Sequence, residues 1–413
     1  MAKVKAFKAL RYNQEKIKNL GKVVCPPYDV ISAQKQDYYH KLDPHNLIHV
    51  LLRKDIPGED KYKVAAEVYR QWLKDGVITQ DNSPTIYFYS QQYKIQGETK
   101  TRFGFISLLG LDSKTFGHEH TRQAAKEDRF KLMSEVKANL SPIFIVFEDK
   151  KRIIQRMLKY LQGKPPVIDV TDDEATVHKL WCIDDPEMVG LVESSMAAEN
   201  TFIADGHHRY EVACAYHQNH KSESSGYVLS YFTNTDFKGL TIMAIHRLLK
   251  SPVKIETAGL LKKLSEYFDV EEIKDKTKFF FLMQKGGRTE HMLGMYKDKK
   301  YWLLRLKNVS ILDKIMPDKP KEYRSLDVAI LNAIVLSKIL GVDVENKENL
   351  VFHPDADEFI AEVDTHPDYI AFFLNPVKIQ QIIDVALGGN KMPAKSTYFY
   401  PKVLSGLVIN KIG

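Results

Sequence analysis

The sequence predicts a mixed α/β (α+β) protein in which helices and mixed sheets pack in layers. Some segments repeat apolar residues with the helical period, while others alternate or run continuously apolar as strands do. The two kinds of segment follow one another along the whole chain, and no repeat of fixed period occurs. At 413 residues the chain exceeds what one core normally supports, so we expect two or three subdomains.

The composition is typical of a folded globular protein, and its charge balance suits anionic small molecules at least as well as nucleic acid. Hydrophobic residues make up 44% and charged residues 27% of the chain, and its formal charge of +7 comes from 60 basic against 53 acidic residues. The basic residues form no arm or tail, and no nucleic-acid-reading motif occurs, so no nucleic-acid partner is expected. Cys25, Cys182 and Cys214 lie too far apart for a disulfide framework or a CxxC metal site.

The expected location is the cytoplasm. The N-terminal MAKVKAFKALRYNQ lacks the apolar centre of a signal peptide. No apolar run approaches the roughly 20 residues that cross a bilayer, so no membrane partner is expected. The oligomeric state stays open.

The first 150 residues predict a mixture of helices and strands. Residues 22–31 indicate a short strand that ends at Pro26 and Pro27, and Ser32 is placed to cap the helix that follows. A helical period over residues 63–74 stops at Gly76. The next segments predict a hairpin, a helix and a buried strand: TIYFYSQQYKI with KTRFGFISLLGL, then GHEHTRQAAKEDRFKLMSEVKANL, then SPIFIVFE.

The rest of the chain continues the same mixture. We predict strands in GYVLSYFTN, LTIMAIHRLL and YIAFFLN, further sheet in FFFLMQ with MLGMYKDKKYWLLRL, and helices in LDVAILNAIVLSKIL and VKIQQIIDVAL. The motifs below divide the chain into three expected parts: an N-terminal α/β subdomain (1–150), a core with the DGHHR turn (151–250) and a C-terminal α/β subdomain (251–413).

The stretch TFIADGHHRYEVACAY, residues 201–216, predicts a strand, a tight turn and a helix N-terminus. Unpaired N–H groups at a helix start bind anions, and Gly206 lets a phosphate approach closely. Arg209 offers a planar pair of donors, and His207 and His208 can donate hydrogen bonds or move a proton. Asp205 is placed to hold Mg²⁺ or to orient an imidazole, so the turn favours phosphoryl transfer.

Two simpler interpretations of this turn stay open. In the first, Asp205 only caps the helix and the histidines are exposed at the surface. In the second, the histidines bind zinc, but adjacent positions on a helix diverge by roughly 100° and no cysteine nearby completes a ligand set.

Polar clusters elsewhere are further candidates. The segment from His118 to Thr121, with Asp128 and Arg129 after it, is either an anion- or metal-facing wall or a solvated loop before a helix. His246 and Arg247 close a predicted strand and are equally compatible with a surface pair.

The C-terminal GGNKMPAKSTYFYPK resembles a phosphate-binding loop only in part. Residues 389–396 match GxxxxGK[ST] except that Ala394 replaces the second glycine, and a strand pattern follows where a P-loop needs a helix. A P-loop is therefore excluded. Lys395, Ser396 and Thr397 can still contact phosphate oxygens from a loop; the alternative is an ordinary polar turn.

Asp29 in CPPYDV is a carboxylate held at a strand end by two prolines. A general base for an alcohol needs such fixed placement. A turn or cap aspartate is the simpler interpretation of this stretch.

Five motifs, in order and spacing, carry a resemblance to a known family: CPPYDVIS, GHEHT with EDR, IADGHHRYEVA, IHRLL and MPAKSTYFYPKVLSGL. They resemble a bacterial and archaeal whole-chain family catalogued as domain of unknown function one thousand and fifteen, from about residue 5 to the C-terminus. Through its DGHHR turn that family looks related to the ParB-like and sulfiredoxin-like fold, which implies such a core here. It also implies an ATP-dependent kinase of free L-serine that makes O-phosphoserine, with ATP and Mg²⁺ as cofactors.

The resemblance implies roles for residues of this chain. It makes residues 205–209 the phosphate-handling centre, with Arg129, His246, Arg247, Lys395, Ser396 and Thr397 as further nucleotide-binding residues. Asp29 or Glu119 would take the hydroxyl proton, His207 and His208 would steady the phosphoryl group, and Asp205 or Asp128 would hold Mg²⁺.

Two other functions stay open. A non-catalytic, ParB-like nucleotide switch would carry an additional DNA-binding helix, and none is recognisable. A sulfiredoxin-like redox phosphotransferase needs a reactive cysteine in the turn, where His207 and His208 stand and Cys214 lies further along the helix.

Overall fold

The computed structural model describes residues 2–235, 239–251, 253–344 and 349–413. They form two compact units. The first comprises Met1–Gly117, Thr121–Thr241 and Pro401–Gly413, and the second comprises His118–His120 and Ile242–Tyr400. Helices and strands mix in both units, so the predicted mixed α/β class is confirmed. The three parts predicted from the sequence are defined by their motifs, and their bounds differ from those of these two units.

The strands of the described residues follow in chain order. They are β1 (Val4–Lys5), β2 (Leu10–Tyr12), β3 (Ile78–Gln80), β4 (Ile86–Ile95), β5 (Glu98–Gly110), β6 (Thr115–Gly117), β7 (Ala138–Asn139), β8 (Ile143–Phe147), β9 (Ile168–Thr171), β10 (Val177–Ile183), β11 (Thr201–Asp205), β12 (Tyr227–Asn234), β13 (Thr241–Met243), β14 (His246–Lys250), β15 (Phe268–Ile273), β16 (Met292–Lys297), β17 (Lys300–Leu306), β18 (Leu350–His353), β19 (Tyr369–Phe373), β20 (Tyr398–Tyr400) and β21 (Asn410–Lys411).

The helices of the described residues are of three kinds. The α-helices are α1 (Ala33–Leu42), α2 (Ile48–Leu51), α3 (Lys61–Lys74), α4 (Gln123–Val136), α5 (Ile153–Tyr160), α6 (Pro186–Met196), α7 (His207–His220), α8 (Thr257–Leu264), α9 (Lys276–Gly286), α10 (Ile311–Ile315), α11 (Lys321–Arg324), α12 (Asp327–Ile330), α13 (Ala356–Thr365) and α14 (Ile379–Leu387). Short 3₁₀ helices cover Leu20–Lys22, Tyr28–Val30 and Ser224–Gly226, and a π-helix covers Leu331–Ile339.

A mixed sheet organises the first unit. In the described part of the chain its order is β6-β11-β8-β12-β5-β4-β10-β9, with β1 beside β5. The pairs β11–β6 and β12–β8 are parallel, and the other pairs in this sheet are antiparallel. Because every residue of β8 is buried, this central strand is the continuous apolar run that its sequence indicates. The strand β11, which carries the DGHHR turn, is therefore held at one side of a buried strand.

Several predicted elements of the first unit are confirmed. The hairpin pairs Tyr87 of β4 with Ile106 of β5. Ser32 caps α1 by accepting a hydrogen bond from the Lys35 amide, as expected of a serine at that position. Helix α3 ends just before Gly76, whose positive φ of 64° suits the end of a helix.

The second unit has its own sheet and core. Its main sheet has the order β15-β17-β16-β19-β14-β18 within the described residues, and each pair in it is antiparallel. Helices α9 and α13 pack against it and bury Phe279, Met283 and Phe359 among the strand side chains. The confirmed predictions here are the sheet in β16 and β17, strand β19 and helix α14.

Two local predictions are wrong, and one predicted helix differs in its kind of helix. The FFFLMQ segment lies inside helix α9, because Asp275 caps the helix start and the buried Phe279 and Met283 are four residues apart on one face. Residues 22–31 form no regular strand; Cys25 makes one isolated bridge to Ser405, and Tyr28–Val30 is a 3₁₀ turn. The helix predicted over residues 326–340 is α-helical only over Asp327–Ile330 and continues as a π-helix, a rare form that periodicity cannot reveal.

The described residues contain no helix that is both long and apolar enough to cross a membrane.

Candidate phosphate site

The 201–216 stretch folds as the sequence predicts, into a strand, a turn and a helix. Strand β11 ends at Asp205, Gly206 adopts a φ of 89°, and α7 begins at His207. The register between β11 and β8 shifts between Ile203 and Asp205, so the strand is irregular directly before the turn, and such irregularities re-aim side chains. A Cβ on Gly206 would lie 3.0 Å from the Arg209 Cζ. The turn therefore needs glycine both for its backbone angle and for the packed guanidinium.

Asp205 sits between two cations. Its Oδ1 accepts a hydrogen bond from Lys402 Nζ at 2.7 Å, and its Oδ2 accepts one from Arg209 Nη2 at 2.8 Å. All three side chains are largely buried, with 17%, 12% and 11% of Asp205, Lys402 and Arg209 exposed. Arg209 Nη1 also donates to the carbonyl oxygen of Pro142. We call Asp205, Arg209 and Lys402 the Asp205 triad.

The triad keeps a net positive charge at neutral pH. Burial raises the pKa of Asp205, but Lys402 and then Arg209 outweigh burial and hold the pKa well below its usual value. One carboxylate and two cations leave one excess positive charge beside the start of α7. The interpretation of Asp205 as only a helix cap is wrong, because Gly206 is the N-cap and both carboxylate oxygens of Asp205 accept bonds from cations.

Lys402 reaches Asp205 because the main sheet fixes the backbone around it. Gln91 Nε2 of β4 donates to the Lys402 carbonyl oxygen at 2.9 Å, and Arg102 Nη2 of β5 donates to the Pro401 carbonyl oxygen at 2.5 Å. Gln91 and Arg102 are both fully buried. Two buried polar side chains of the sheet thus position a lysine that is 197 residues from its partner in sequence.

The paired histidines are not exposed at the surface, so that simpler interpretation is wrong. His207, the first residue of α7, is 4% exposed, and His208 is half-buried. His208 Nε2 accepts a hydrogen bond from the Arg122 amide at 2.9 Å. An accepting ring nitrogen carries no proton, so the neutral His208 holds its proton on Nδ1. Cys214, further along α7, is a half-buried thiol whose pKa is raised by burial, which does not suit a reactive cysteine.

Helix α4 packs against α7 and carries a second pair of charges. Asp128 accepts hydrogen bonds from Arg129 Nε and from the Tyr62 hydroxyl, each at 2.8 Å, and Lys61 Nζ lies 3.5 Å away. Burial raises the pKa of Asp128. Arg129, and then Tyr62 and Lys61, lower it by more than burial raises it, so the pKa lies below its usual value. Arg129 is buried, donates to the Leu51 carbonyl oxygen at 2.7 Å, and is the arginine that the DR motif implied.

Tyr28 of the CPPYDV motif joins this group. The Arg129 guanidinium lies 4.4 Å from the centre of the Tyr28 ring, a cation–π contact. Burial and then the neighbouring Asp29 raise the pKa of Tyr28 to about 12, while Arg209 and Arg129 oppose the rise. Asp29 itself is exposed in the 3₁₀ turn Tyr28–Val30, where a carboxylate is accessible to a substrate.

A small cavity of the first unit is lined by Tyr28, by Arg129 of α4 and by Arg209 of α7. Its volume is about 60 Å³, and its polar lining residues are Tyr28, Arg129, Asn139, Ser141 and Arg209. Arg209 Nε is enclosed and has no hydrogen-bond partner within the described residues. A cavity of this size holds several waters or a small anionic group, and its two guanidinium groups favour an anion.

The second unit holds the other predicted site residues. Glu119 follows His118, whose Nε2 lies 3.2 Å from the Thr397 hydroxyl and whose carbonyl oxygen accepts from the Met392 amide at 2.8 Å. The predicted HEHT and MPAKST segments are therefore neighbours in space. Lys395 is exposed in this loop with a positive φ of 57°, and the buried Ser396 donates to the Pro393 carbonyl oxygen at 2.5 Å.

His246 and Arg247 support that loop from β14. Arg247 is buried and donates to the carbonyl oxygens of Ala394 and Lys395 at 3.3 and 3.0 Å, and burial lowers its pKa to about 9. His246 accepts a hydrogen bond from the Leu374 amide at 3.2 Å; burial and then Arg247 lower its pKa to about 4, so it is neutral. The interpretation of these two residues as a surface pair is wrong.

Replacing Arg247 by methionine is expected to loosen the loop over residues 392–397 without unfolding the second unit. Two carbonyl oxygens of the loop, and that of Ile245, lose their donor, while methionine keeps most of the buried volume. Amide hydrogen exchange of the loop should rise by about tenfold, since each lost bond costs on the order of 1 kcal/mol. Exchange in α14 serves as the internal control, and unchanged exchange in the loop would contradict the supporting role.

Sequence comparison places the chain in a family. The profile described as "Protein of unknown function (DUF1015)" matches residues 4–329. The chain belongs to the DUF1015 family. No curated protein matches it.

Solved structures similar to this DUF1015 chain include a mutant free serine kinase in complex with ADP, at 12% identity and a TM-score of 0.36, over 71% of this chain and 87% of that one. SbnI with a C-terminal truncation, from Staphylococcus aureus, matches at 10% identity and a TM-score of 0.37, over 73% and 86%. A conserved hypothetical protein from Pyrococcus furiosus matches at 13% identity and a TM-score of 0.33, over 72% and 92%. Scores this low carry no argument about activity, which must come from the residues themselves.

The residues of this DUF1015 chain fit a phosphate better than they fit a metal ion. The left-handed Gly206, the start of α7 and the guanidinium groups of Arg209 and Arg129 suit an anion. Both predicted metal ligands, Asp205 and Asp128, already accept bonds from cations, and no group of three metal-ligating side chains occurs among the described residues. Mg²⁺ therefore does not fit at either aspartate in this conformation.

Sequence reasoning missed Lys402 and Tyr28 as members of this site. Both lie within motifs that carry the family resemblance, but the site residues predicted from those motifs were Lys395 and Asp29. No local signal marks Lys402, because its ion pair with Asp205 depends on tertiary structure.

Proposed function

We propose that this protein is an ATP-dependent kinase of a small hydroxyl compound, with free L-serine as acceptor and O-phosphoserine as product. The observation that carries the proposal is the arrangement at the start of α7: a left-handed Gly206 precedes the helix, and Arg209 in its first turn lines a cavity together with Arg129. Phosphate groups bind at helix N-termini where backbone amides, glycine and guanidinium groups meet. The choice of serine rests on the family resemblance alone.

In the proposed reaction the acceptor hydroxyl oxygen forms a bond to the γ-phosphorus of ATP. The bond from that phosphorus to the bridging oxygen breaks, and ADP leaves. The hydroxyl proton passes to a carboxylate, Asp29 or Glu119. His207, His208 and Arg209 stabilise the charge on the transferring group, which is where phosphoryl transfer gains most of its rate.

The family resemblance alone assigns roles to residues of the second unit. Lys395, Ser396 and Thr397 contact nucleotide phosphate as a point charge and two hydroxyl groups. Arg247 and His246 hold the loop that carries them. Mg²⁺ enters with ATP as its counter-ion, and Asp205 or Asp128 would have to exchange a bonded cation to bind it.

The test combines donor, acceptor and reaction class. The purified protein is incubated with Mg-ATP and, separately, with L-serine, L-threonine, L-homoserine, L-alanine and glycerol, and ³¹P NMR follows phosphate on the acceptor. We expect a phosphomonoester signal with L-serine and none with L-alanine, which lacks the hydroxyl. Transfer to none of these acceptors would remove the kinase proposal.

Replacing His208 by alanine is expected to lower turnover by more than about tenfold. A positioned acid, base or charge stabiliser usually contributes more than tenfold to the rate. The protein should stay folded, because His208 is only half-buried. Phosphate transfer under saturating substrates is the measurement.

His220→Ala is the matched control. His220 stands on the same helix at its last turn, stacked on Tyr216, far along α7 from the phosphate-binding end. Its removal should leave turnover within about twofold, as for a surface substitution. Unchanged turnover in His208→Ala would take His208 out of the mechanism.

A non-catalytic nucleotide switch is the second candidate, and one observation favours it. The two aspartates best placed for Mg²⁺ are held in ion pairs. Tight binding of ATP in calorimetry, without transfer to any acceptor and without hydrolysis, would support the switch over the kinase.

A further inference from the structure

A cavity in the second unit holds a histidine–aspartate pair that the proposed reaction does not use. Its volume is about 120 Å³, and it is formed by the turn between α9 and β16, the start of α12 and the start of α14. Ser396 of the MPAKST segment also lines it. Every lining residue belongs to the second unit, so the cavity is complete within it.

The pair is His291 and Asp327. His291 Nδ1 lies 2.8 Å from Asp327 Oδ1, and the two side chains are only 21% and 18% exposed. A carboxylate can only accept, so Nδ1 carries the proton and Nε2 of the neutral ring is an acceptor. Nε2 makes no hydrogen bond within the described residues and is not among their enclosed polar atoms. It is therefore available to a hydroxyl group of a ligand.

Two cations also line this cavity. Arg288 and Lys378 line it, and neither makes an ion pair within the described residues. The two acidic residues that line the cavity have other partners: Glu290 pairs with Arg305 at 2.9 Å, and Asp327 pairs with His291. The lining thus offers positive charge for an anion and a ring nitrogen for a hydroxyl.

The cavity wall is rigidly built. Lys378 Nζ donates to the Arg288 carbonyl oxygen at 2.9 Å, and Asn375 Nδ2 donates to the Met292 carbonyl oxygen at 3.1 Å. A Cβ on Gly287 would fall 2.2 Å from Asn375 Nδ2, so the turn is closely packed on this segment. Fixed walls of this kind are typical of binding sites, which place a few polar groups on a held framework.

We propose that this cavity binds a small carboxylate that carries a hydroxyl group. Arg288 and Lys378 bind the carboxylate, and His291 Nε2 accepts the hydrogen bond of the hydroxyl while Asp327 fixes the ring. The ligand class follows from the charges of the cavity and does not depend on the phosphoryl transfer proposed above.

Calorimetry without nucleotide tests the proposal with matched probes: L-serine against L-alanine, L-lactate against propionate, and ethanolamine as a hydroxyl compound without carboxylate. Each hydroxyl compound should bind about tenfold more tightly than its hydroxyl-free partner, since one hydrogen bond to the ring is lost, and ethanolamine should not bind. Equal binding of L-serine and L-alanine, or no binding of any probe, would overturn it.

Variants locate the binding in this cavity. Arg288→Ala, at an exposed position that folding should tolerate, is expected to weaken L-serine binding by about tenfold, and His291→Phe, which has no acceptor, should remove the preference for the hydroxyl. Lys262→Ala, an exposed lysine on α8 of the same unit, is the matched control and should leave binding unchanged. If Arg288→Ala and Lys262→Ala bind alike, the cavity is not the site. These binding measurements contain no ATP, so an absence of binding would not contradict the kinase proposal. An absence of phosphate transfer in the NMR assay would likewise not contradict the proposal for this cavity.

Discussion

Replacing Asp205 by alanine is expected to lower the free energy of unfolding of the first unit by about 3–5 kcal/mol, the usual cost of breaking a buried ion pair by removing one partner. The substitution leaves Arg209 and Lys402, both largely buried, without their shared carboxylate. Urea titration followed by fluorescence of Trp72 and Trp181, which both belong to the first unit, measures the loss.

The same triad predicts a pH dependence. The pKa of Asp205 is lower in the folded protein than the value of about 3.9 in an unfolded chain. A depressed carboxyl pKa contributes stability that is present above the unfolded pKa and is lost as the pH falls toward the folded pKa. The wild-type protein should therefore lose stability below about pH 5, and Asp205→Ala should lose less over the same interval.

Asp112→Ala is the control for the triad. Asp112 also pairs with a lysine, Lys3, but at 3.7 Å and with 71% of its side chain exposed. Exposed pairs contribute little to stability, so this variant should unfold like the wild type. A loss in Asp205→Ala no larger than in Asp112→Ala would show that the triad does not stabilise the fold.

Replacing Gly206 by alanine is expected to reduce phosphate transfer by about a hundredfold, since displaced catalytic groups can cost that much. Alanine at a φ of 89° is strained, and its Cβ would meet the Arg209 guanidinium at 3.0 Å, so the turn and Arg209 must both shift. Steady-state kinetics with ATP and L-serine measure the effect, together with ATP affinity by calorimetry.

Gly190→Ala is the matched control, since it makes the same change elsewhere in the first unit. Gly190 lies within α6, has ordinary helical geometry, and a Cβ there meets no atom of the described residues within 4 Å. Alanine should stabilise the helix by up to about 1 kcal/mol and leave kinetics unchanged. Gly206→Ala with wild-type kinetics would mean that phosphate does not bind at this turn.

Much of the fold could be predicted because local patterns and tertiary packing agree. The β4–β5 hairpin, the buried strand β8 and the Ser32 cap each follow from short-range rules that the structure keeps. FFFLMQ failed because a run of aromatic residues fits a strand as well as a helix, and only burial of Phe279 and Met283 on one helical face decides between them.

The candidate site was partly predictable for the same reason. The strand, Gly206 and the helix start are encoded within sixteen consecutive residues. The partners are not: Lys402 is 197 positions from Asp205, and Arg129 meets Tyr28 across a hundred residues of sequence. His291 and Asp327 gave no local signal at all, because neither stands in a motif and their pairing depends on the start of α12.

The sequence by itself determined the mixed α/β class, the turn at residues 205–209 with its imidazoles and guanidinium, and the family, since each depends on residue types at short spacing. Only the tertiary structure decided that Asp205 is an ion-pair partner instead of a helix cap, and that His246 and Arg247 are buried supports for a loop. Charges separated by as many as 197 residues act strongly on one another only after the chain has excluded water from around them, and that exclusion is a property of the packed fold.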